Sequence, residues 1–385
     1  MNISKKNEEI LVWGTGINAV DFSCKCRAQN LKIKAYIDNN KREEQIEFND
    51  VPVYTAKEAQ NLLDKYYIVV ATSDEIYWII KKQLDKDGYR EFEDYCWHKL
   101  FRKKIAVIYG NCHIAPIKEG LENSELFANE YGFYPLHLIH TIYSLGGMDL
   151  NSCVFEYCSL FIHQDIRNSN KFGYEYSSES LLKRVNPKAC VIAIPNLYGL
   201  PKWMFPQIDK LLPEKRIRGQ AYFSFRDKFI EAMYEKGCSI SYICEQIKMG
   251  DLITPVELEN EYNKFIEKIN RRQRKWDIKI CDWIDQAKTS SQLFYDINHP
   301  TNEVISYIVY QVLNILEIED NPSLDFLPRL DTYEVPIYGV VMKTFKMHWE
   351  NSYTLKKYSR YTLTHHQIGL HQYVTQYIAW NYWKG

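Results

Sequence analysis

The sequence predicts an α/β protein: two parallel-sheet domains, a helical insertion in the second, and an aromatic-rich carboxyl-terminal extension. Three observations predict it. Short apolar runs without a helical stripe recur along the chain, as buried parallel strands do. Turns rich in Gly or Asn follow the first and fourth of these runs. Amphipathic stretches of helical period lie between them. The expected divisions are residues 1–100, 101–322 and 323–385, and at 385 residues two or three domains is the ordinary expectation.

The first domain opens with Glu9–Trp13 as a strand, after which Gly14-Thr15-Gly16-Ile17-Asn18-Ala19 starts a helix. Ile33–Asp38 is a second strand that ends in an acid, and Tyr67–Thr72 is a third. A Gly-x-Gly-x-x-Ala turn with an acid about 20 residues on is the pattern of dinucleotide or nucleotide-sugar sites. Gly14 and Gly16 would let the backbone approach a diphosphate at the helix amino terminus, and Asp38 would accept from a ribose hydroxyl. This Rossmann-like unit is similar to the small amino-terminal domains of bacterial sugar-modifying enzymes. It is too short for a full dehydrogenase, so scaffolding and nucleotide-sugar binding both stay open. The link Tyr95–Lys104 is aromatic and basic rather than rich in Gly and Ser, which predicts docked domains.

The second domain begins with the strand Lys104–Tyr109, broken by Gly110 and Asn111, and Ile114-Ala115-Pro116-Ile117 starts a helix. Cys112 therefore sits at a strand's carboxyl end above a helix amino terminus, where a thiol is readily ionised and where nucleophile elbows hold their serine. A small buried hydrophobe is the competing reading of Cys112. Asn129–His140 supplies a further strand and turn, and Ser144–Gly147 a glycine loop. Ser159–Asp165 and Ala189–Ile194 are expected as buried strands whose ends present His163, Gln164 and Asn196 to the ligand edge. Asn196 is a candidate oxyanion donor or a plain turn residue.

The insertion is helical. Arg226–Lys236 is one helix, Ser239 caps Ile240–Met249, and Thr254-Pro255-Val256-Glu257 is a capping box. The helix that follows is expected to carry Leu258, Tyr262, Phe265, Ile269, Trp276, Ile280 and Trp283 along one drifting face. Its other face offers Arg271, Arg272, Arg274 and Lys275, either as a solvated surface or, with Arg216 and Arg218, as a phosphate clamp. Asp296 and His299 precede an apolar helix with the stripe Val304, Ile305, Ile308, Val309, Val312 and Leu316. Pro300 turns His299 away from helical geometry, and Thr301 is placed to cap. Asp-x-x-His-Pro near the end of an α/β domain is how SGNH-type hydrolases supply a base and its orienting carboxylate.

Gly110-Asn111-Cys112, Ile194-Pro195-Asn196-Leu197-Tyr198 and Asn298-His299-Pro300-Thr301 together resemble the landmarks of the WcbI-type polysaccharide-biosynthesis acyltransferases, over roughly residues 103–345. The resemblance implies an SGNH-like domain that transfers an acyl group from coenzyme A to a sugar of capsular or surface polysaccharide. It implies Cys112 as nucleophile or beside a direct transfer, His299 as base, Asp296 or alternatively Asn298 as its orienting partner, and Asn196 at the oxyanion. Gly110, Asn111 and His113 would then line the cofactor with Arg271, Arg272 and Arg274. His113 stands where the resemblance leads us to expect Gln, which sets a second imidazole beside the sulfur. An esterase or thioesterase using the same Cys-His-Asp group is an alternative, as is a non-catalytic nucleotide-sugar or glycan-binding subunit.

With 48 basic against 49 acidic residues, no global charge draws the chain to nucleic acid. No apolar run reaches membrane length and the start lacks a signal-peptide core, so a cytoplasmic protein without an integral membrane segment is expected. Ten irregularly spaced Cys read as reduced thiols, and no metal is expected at His365, His366 and His371. The tail 323–385 is expected to pack its aromatic helix, Gln367–Trp383, on the catalytic domain. A homo-oligomeric assembly stays open.

Overall fold

The computed structural model describes residues 9–147, 150, 152–169, 172–211, 223–250, 252–324, 330, 334–349, 353–358 and 363–382. Strands β1 (Glu9–Trp13), β2 (Lys32–Ile37), β3 (Glu47–Phe48), β4 (Val51–Tyr54), β5 (Tyr67–Val70) and β6 (Tyr95–Trp97) form one sheet in the order β3-β4-β2-β1-β5-β6. All its pairings are parallel except that of the two-residue β3 with β4. Strands β7 (Lys104–Tyr109), β8 (Tyr131–Phe133), β9 (Leu160–Gln164) and β10 (Cys190–Ile194) form a second sheet in the order β10-β9-β7-β8, with β7 parallel to β8 and β9. The α/β class expected from the apolar runs is the class observed.

The chain forms two compact units, Met1–Tyr109 with Glu125–Val191, and Gly110–Ser124 with Ile192–Gly385. In the first, β1 and β5 lie inside their sheet, and Ile10, Leu11, Val12, Ile68, Val69 and Val70 are fully buried. Gly14 leaves β1 with φ +123°, and a Cβ there would stand 2.7 Å from the Ala71 carbonyl oxygen, so only Gly serves this turn. The rings of Tyr77 and Trp78 meet Tyr134 edge-on. Beneath them the buried Glu91 carboxylate pairs with Lys81 at 2.9 Å and accepts from the Tyr77, Tyr134 and Ser152 hydroxyls. The amino-terminal sheet thus shares its core with the segment after β8. One expectation changes: Cys190 and Val191 are exposed, because β10 is an edge strand rather than a buried one.

In the second unit, Asp227 accepts from the Phe229 and Ile230 N–H to start helix Lys228–Glu235, and Ser239 caps Ile240–Met249. Thr254 and Glu257 close the expected capping box on Pro255–Arg272, whose Leu258, Tyr262, Phe265 and Ile269 are buried. That helix stops at Arg272, short of the long helix expected. Asp277 exchanges bonds with Ala193 at 2.9 Å and 2.7 Å, which pulls the chain out of helix, and Cys281–Ala287 forms a separate one. Helix Leu370–Tyr382 buries Tyr373, Val374, Tyr377, Ile378 and Trp380, as the tail's aromatic spacing predicts. The Tyr377 hydroxyl accepts from Asp227 N–H at 2.7 Å and donates to Glu231 at 3.0 Å. Arg216, Arg218, Tyr333 and Trp383 and the side chains of His365 and His366 lie outside the described residues.

Candidate active site

Two helices of the second unit, Ile114–Glu122 and Asn302–Ile315, pack together. Pro300 and the short pairing of Phe294 with Pro300 hold the loop before the second helix in an extended turn. Thr301 stands at the cap position, but its hydroxyl donates to the Gln292 carbonyl at 2.7 Å rather than capping the helix. Residues 111–113 and 296–299 therefore converge, though nearly two hundred positions separate them.

Asp296 is almost wholly buried and organises the loop. Its Oδ1 accepts the Asn298 and His299 N–H at 2.6 Å and 2.9 Å, and its Oδ2 stands 2.8 Å from His299 Nδ1. A carboxylate so bonded is an acceptor, which puts a proton on Nδ1 and turns Nε2 outward. The Cys112 side chain lies close enough to the imidazole to raise its pKa as well. Burial alone would discharge His299, but Asp296 and then Cys112 outweigh it and lift its pKa to about 10.

His113 is driven the other way. Its Nε2 lies 2.6 Å from the Asn298 carbonyl oxygen, which can only accept, so Nε2 carries the proton. Burial lowers the pKa to about 3, with His299 adding to the fall against that one bond, and the ring is neutral. The His113 ring thus bridges the two loops.

Asn111 is buried, and its Oδ1 accepts the His113 N–H at 3.0 Å. That fixes its amide orientation, so Nδ2 donates to Asn196 Oδ1 at 3.2 Å. Asn196 Oδ1 also accepts the Tyr198 N–H at 3.3 Å, which leaves the Asn196 NH2 as the donor end of that side chain. Among the described residues no group accepts the Cys112 backbone N–H. Cys112 itself is half-buried and Gly110 is buried just before it.

Arg272 reaches the same loop, Nη1 donating to the Asn196 carbonyl at 3.4 Å. Arg271 is its exposed neighbour and Arg274 lies in the exposed turn beyond. Tyr198 was not expected to act on its own, although it lies within the stretch Ile194–Tyr198. Burial raises its phenol pKa, and Cys112 and Asp296 raise it further, which puts the ring in their field. Gly14, Gly16 and Asp38 belong to the other unit. There the Thr15 hydroxyl and the Asn40 N–H already donate to Asp38. His163 and Gln164 are buried in that unit, and Gly146 and Gly147, both at positive φ, close the turn after helix Ile139–Ser144. Among the described residues no three His, Cys, Asp or Glu gather as a metal site, and no helix is long and apolar enough to cross a membrane.

The family model described as polysaccharide biosynthesis enzyme WcbI matches residues 105–321, more than half of the chain. The chain belongs to the WcbI family of polysaccharide biosynthesis enzymes. A solved WcbI structure is described as a novel polysaccharide biosynthesis enzyme, the native protein without a disulfide bond between coenzyme A and one of its cysteines. It is similar to this chain with a TM-score of 0.56 and 16% identity, covering 72% of this chain and 89% of that one. A second model, described as C2185-like, N-terminal, matches residues 6–93 ahead of the WcbI segment. None of the curated proteins matches the sequence.

Proposed function

We propose that this WcbI-family protein transfers an acyl group, an acetyl group in the simplest case, from coenzyme A to a sugar hydroxyl of capsular or surface polysaccharide. The observation that carries the reading is the Asp296–His299 pair with the half-buried Cys112 beside its imidazole. An imidazolium beside a thiol favours the thiolate, and a thiolate is the nucleophile that a thioester donor calls for. The relative described with coenzyme A and a cysteine supports the choice of donor.

In this reading the Cys112 sulfur attacks the donor's carbonyl carbon, and the Cys112 N–H with the Asn196 NH2 takes the charge that grows on the oxygen. The carbon–sulfur bond to coenzyme A breaks, and the departing sulfur takes the proton from His299. His299, now neutral, removes the proton of the sugar hydroxyl as its oxygen attacks the acyl-Cys112 carbonyl. The new ester leaves, and the Cys112 thiolate and His299 imidazolium are restored. Asp296 holds the tautomer throughout. Arg271, Arg272 and Arg274 are assigned to the donor's phosphates. The chemistry is assigned to residues 101–322, with 1–100 as its scaffold and 323–385 as a packed support. No step is assigned to Gly14, Gly16 and Asp38, where a nucleotide or nucleotide-sugar is the alternative to scaffolding.

Incubation with acetyl-coenzyme A and candidate saccharides tests this. Acceptor-dependent loss of the thioester, abolished in Cys112→Ala, is expected. Near-normal transfer by Cys112→Ala would exclude the covalent route, and acetate release independent of acceptor would make the protein a hydrolase.

A further inference from the structure

The second unit also holds a cavity of about 510 Å³ beside the amino-terminal half of helix Pro255–Arg272 and strand Ile208–Leu211. Lys202, Lys228 and Lys264 share its lining with Asp209, Glu257 and Glu261, beside the apolar Ile208 and Leu258, and Lys264 pairs with Glu261 at 2.7 Å. From Lys264 the helix advances ~12 Å to Arg272, at about 1.5 Å per residue. Lys264, Lys268 and Arg272 fall four apart and share one face, with Arg271 three beyond Lys268. The positions three and four from Lys268 are Lys264, Phe265, Arg271 and Arg272, so no carboxylate balances it at helical spacing. Like charges so spaced weaken a helix.

The carbonyl dipoles of the last turn favour Arg271 and Arg272. They do not account for Lys202, which arrives from a separate loop. Burial, and then Arg272, Lys202 and Arg271, hold the Lys268 ammonium below its usual range, so the four cations act on one spot. Their far end is the active site: Arg272 donates to the Asn196 carbonyl, and Asn196 bonds Asn111, the residue before Cys112.

We propose that Lys202, Lys268 and Arg271 clamp the phosphates of the acyl donor's nucleotide, and that the cavity beyond them houses its adenosine end. The inference rests on the coenzyme A-dependent reading and adds Lys202, Lys268 and a direction to it: the thiol at Cys112, the nucleotide toward Lys264. A nucleotide-linked acceptor carries the same phosphate chemistry, so the test must separate the two.

Titration calorimetry on the full chain with coenzyme A, adenosine 3′,5′-bisphosphate and a uridine diphosphate sugar does so. Lys202→Gln and Lys268→Gln, both at exposed positions, are expected to weaken coenzyme A and the bisphosphate about tenfold each. Lys57→Gln, an equal loss of charge in the other unit, is expected to leave both unchanged, and the rate of Cys112 alkylation should hold in all three. Wild-type affinity for coenzyme A in both variants would overturn the clamp. Loss of the uridine diphosphate sugar alone would overturn the assignment to the donor. A wild-type protein that binds no coenzyme A would instead remove the functional reading on which the inference stands.

Discussion

Two imidazoles meet at one loop and are pushed in opposite directions by what they face. His299 faces a carboxylate and a sulfur and keeps its charge to about 10, whereas His113 faces a carbonyl and is neutral above about 3. Asp296→Asn is expected to let His299 titrate nearer its ordinary 6.5 and to cut kcat by roughly a thousandfold with the fold intact. Proton resonances of the ring read the first effect and initial rates the second. An unchanged titration would show that the carboxylate does not set the charge. His113→Ala should cost about 3 kcal/mol, since it opens a buried space and orphans the Asn298 carbonyl. His113→Gln, which keeps a donor for that carbonyl, should recover part of the loss in denaturant titrations.

At the scale of elements, the site is made where two helices start. Helix Ile114–Glu122 and helix Asn302–Ile315 pack side by side, so the residues just ahead of each come together. The strand–turn–helix pattern around Cys112 and the Asp-x-x-His-Pro pattern were legible because each is a local rule. The end of helix Pro255–Arg272 was not. The pattern of apolar residues continues through Trp276 and Ile280, and only the tertiary bonds between Asp277 and Ala193 divert the chain. Lys202 was missed for the same reason, since nothing in its own stretch announces a partner on a distant helix. Gly14 was legible as a turn residue, and its φ of +123° makes the need strict. Gly14→Ala should lower stability by about 2 kcal/mol through backbone strain and the clash with Ala71. Transfer per folded molecule should be preserved if the amino-terminal sheet is a scaffold. A selective loss of activity in a protein of normal Tm would argue for a ligand there instead.

For the whole molecule, the two histidines bound stability from both sides. Between pH 3 and 6.5 His113 is neutral in the fold and charged in the unfolded chain, so stability falls as pH drops through that window. Between pH 6.5 and 10 His299 is charged in the fold and neutral in the unfolded chain, so stability falls as pH rises. Denaturation midpoints should peak near neutrality, and His113→Gln should flatten the acid limb alone. Removal of residues 1–100 should not yield a stable remainder, because Tyr134 and Ser152 would lose Glu91 and the rings of Tyr77 and Trp78. Sequence placed a boundary there, but the shared core is a matter of side chains that meet only after folding. The most direct measurement is the rate at which iodoacetamide modifies Cys112 at neutral pH, followed by peptide mass spectrometry with the exposed Cys24 as internal reference. Cys112 is predicted to react well ahead of Cys24 in the wild type and to lose that lead in His299→Ala. A Cys112 no faster than Cys24, or indifferent to His299→Ala, would contradict the account.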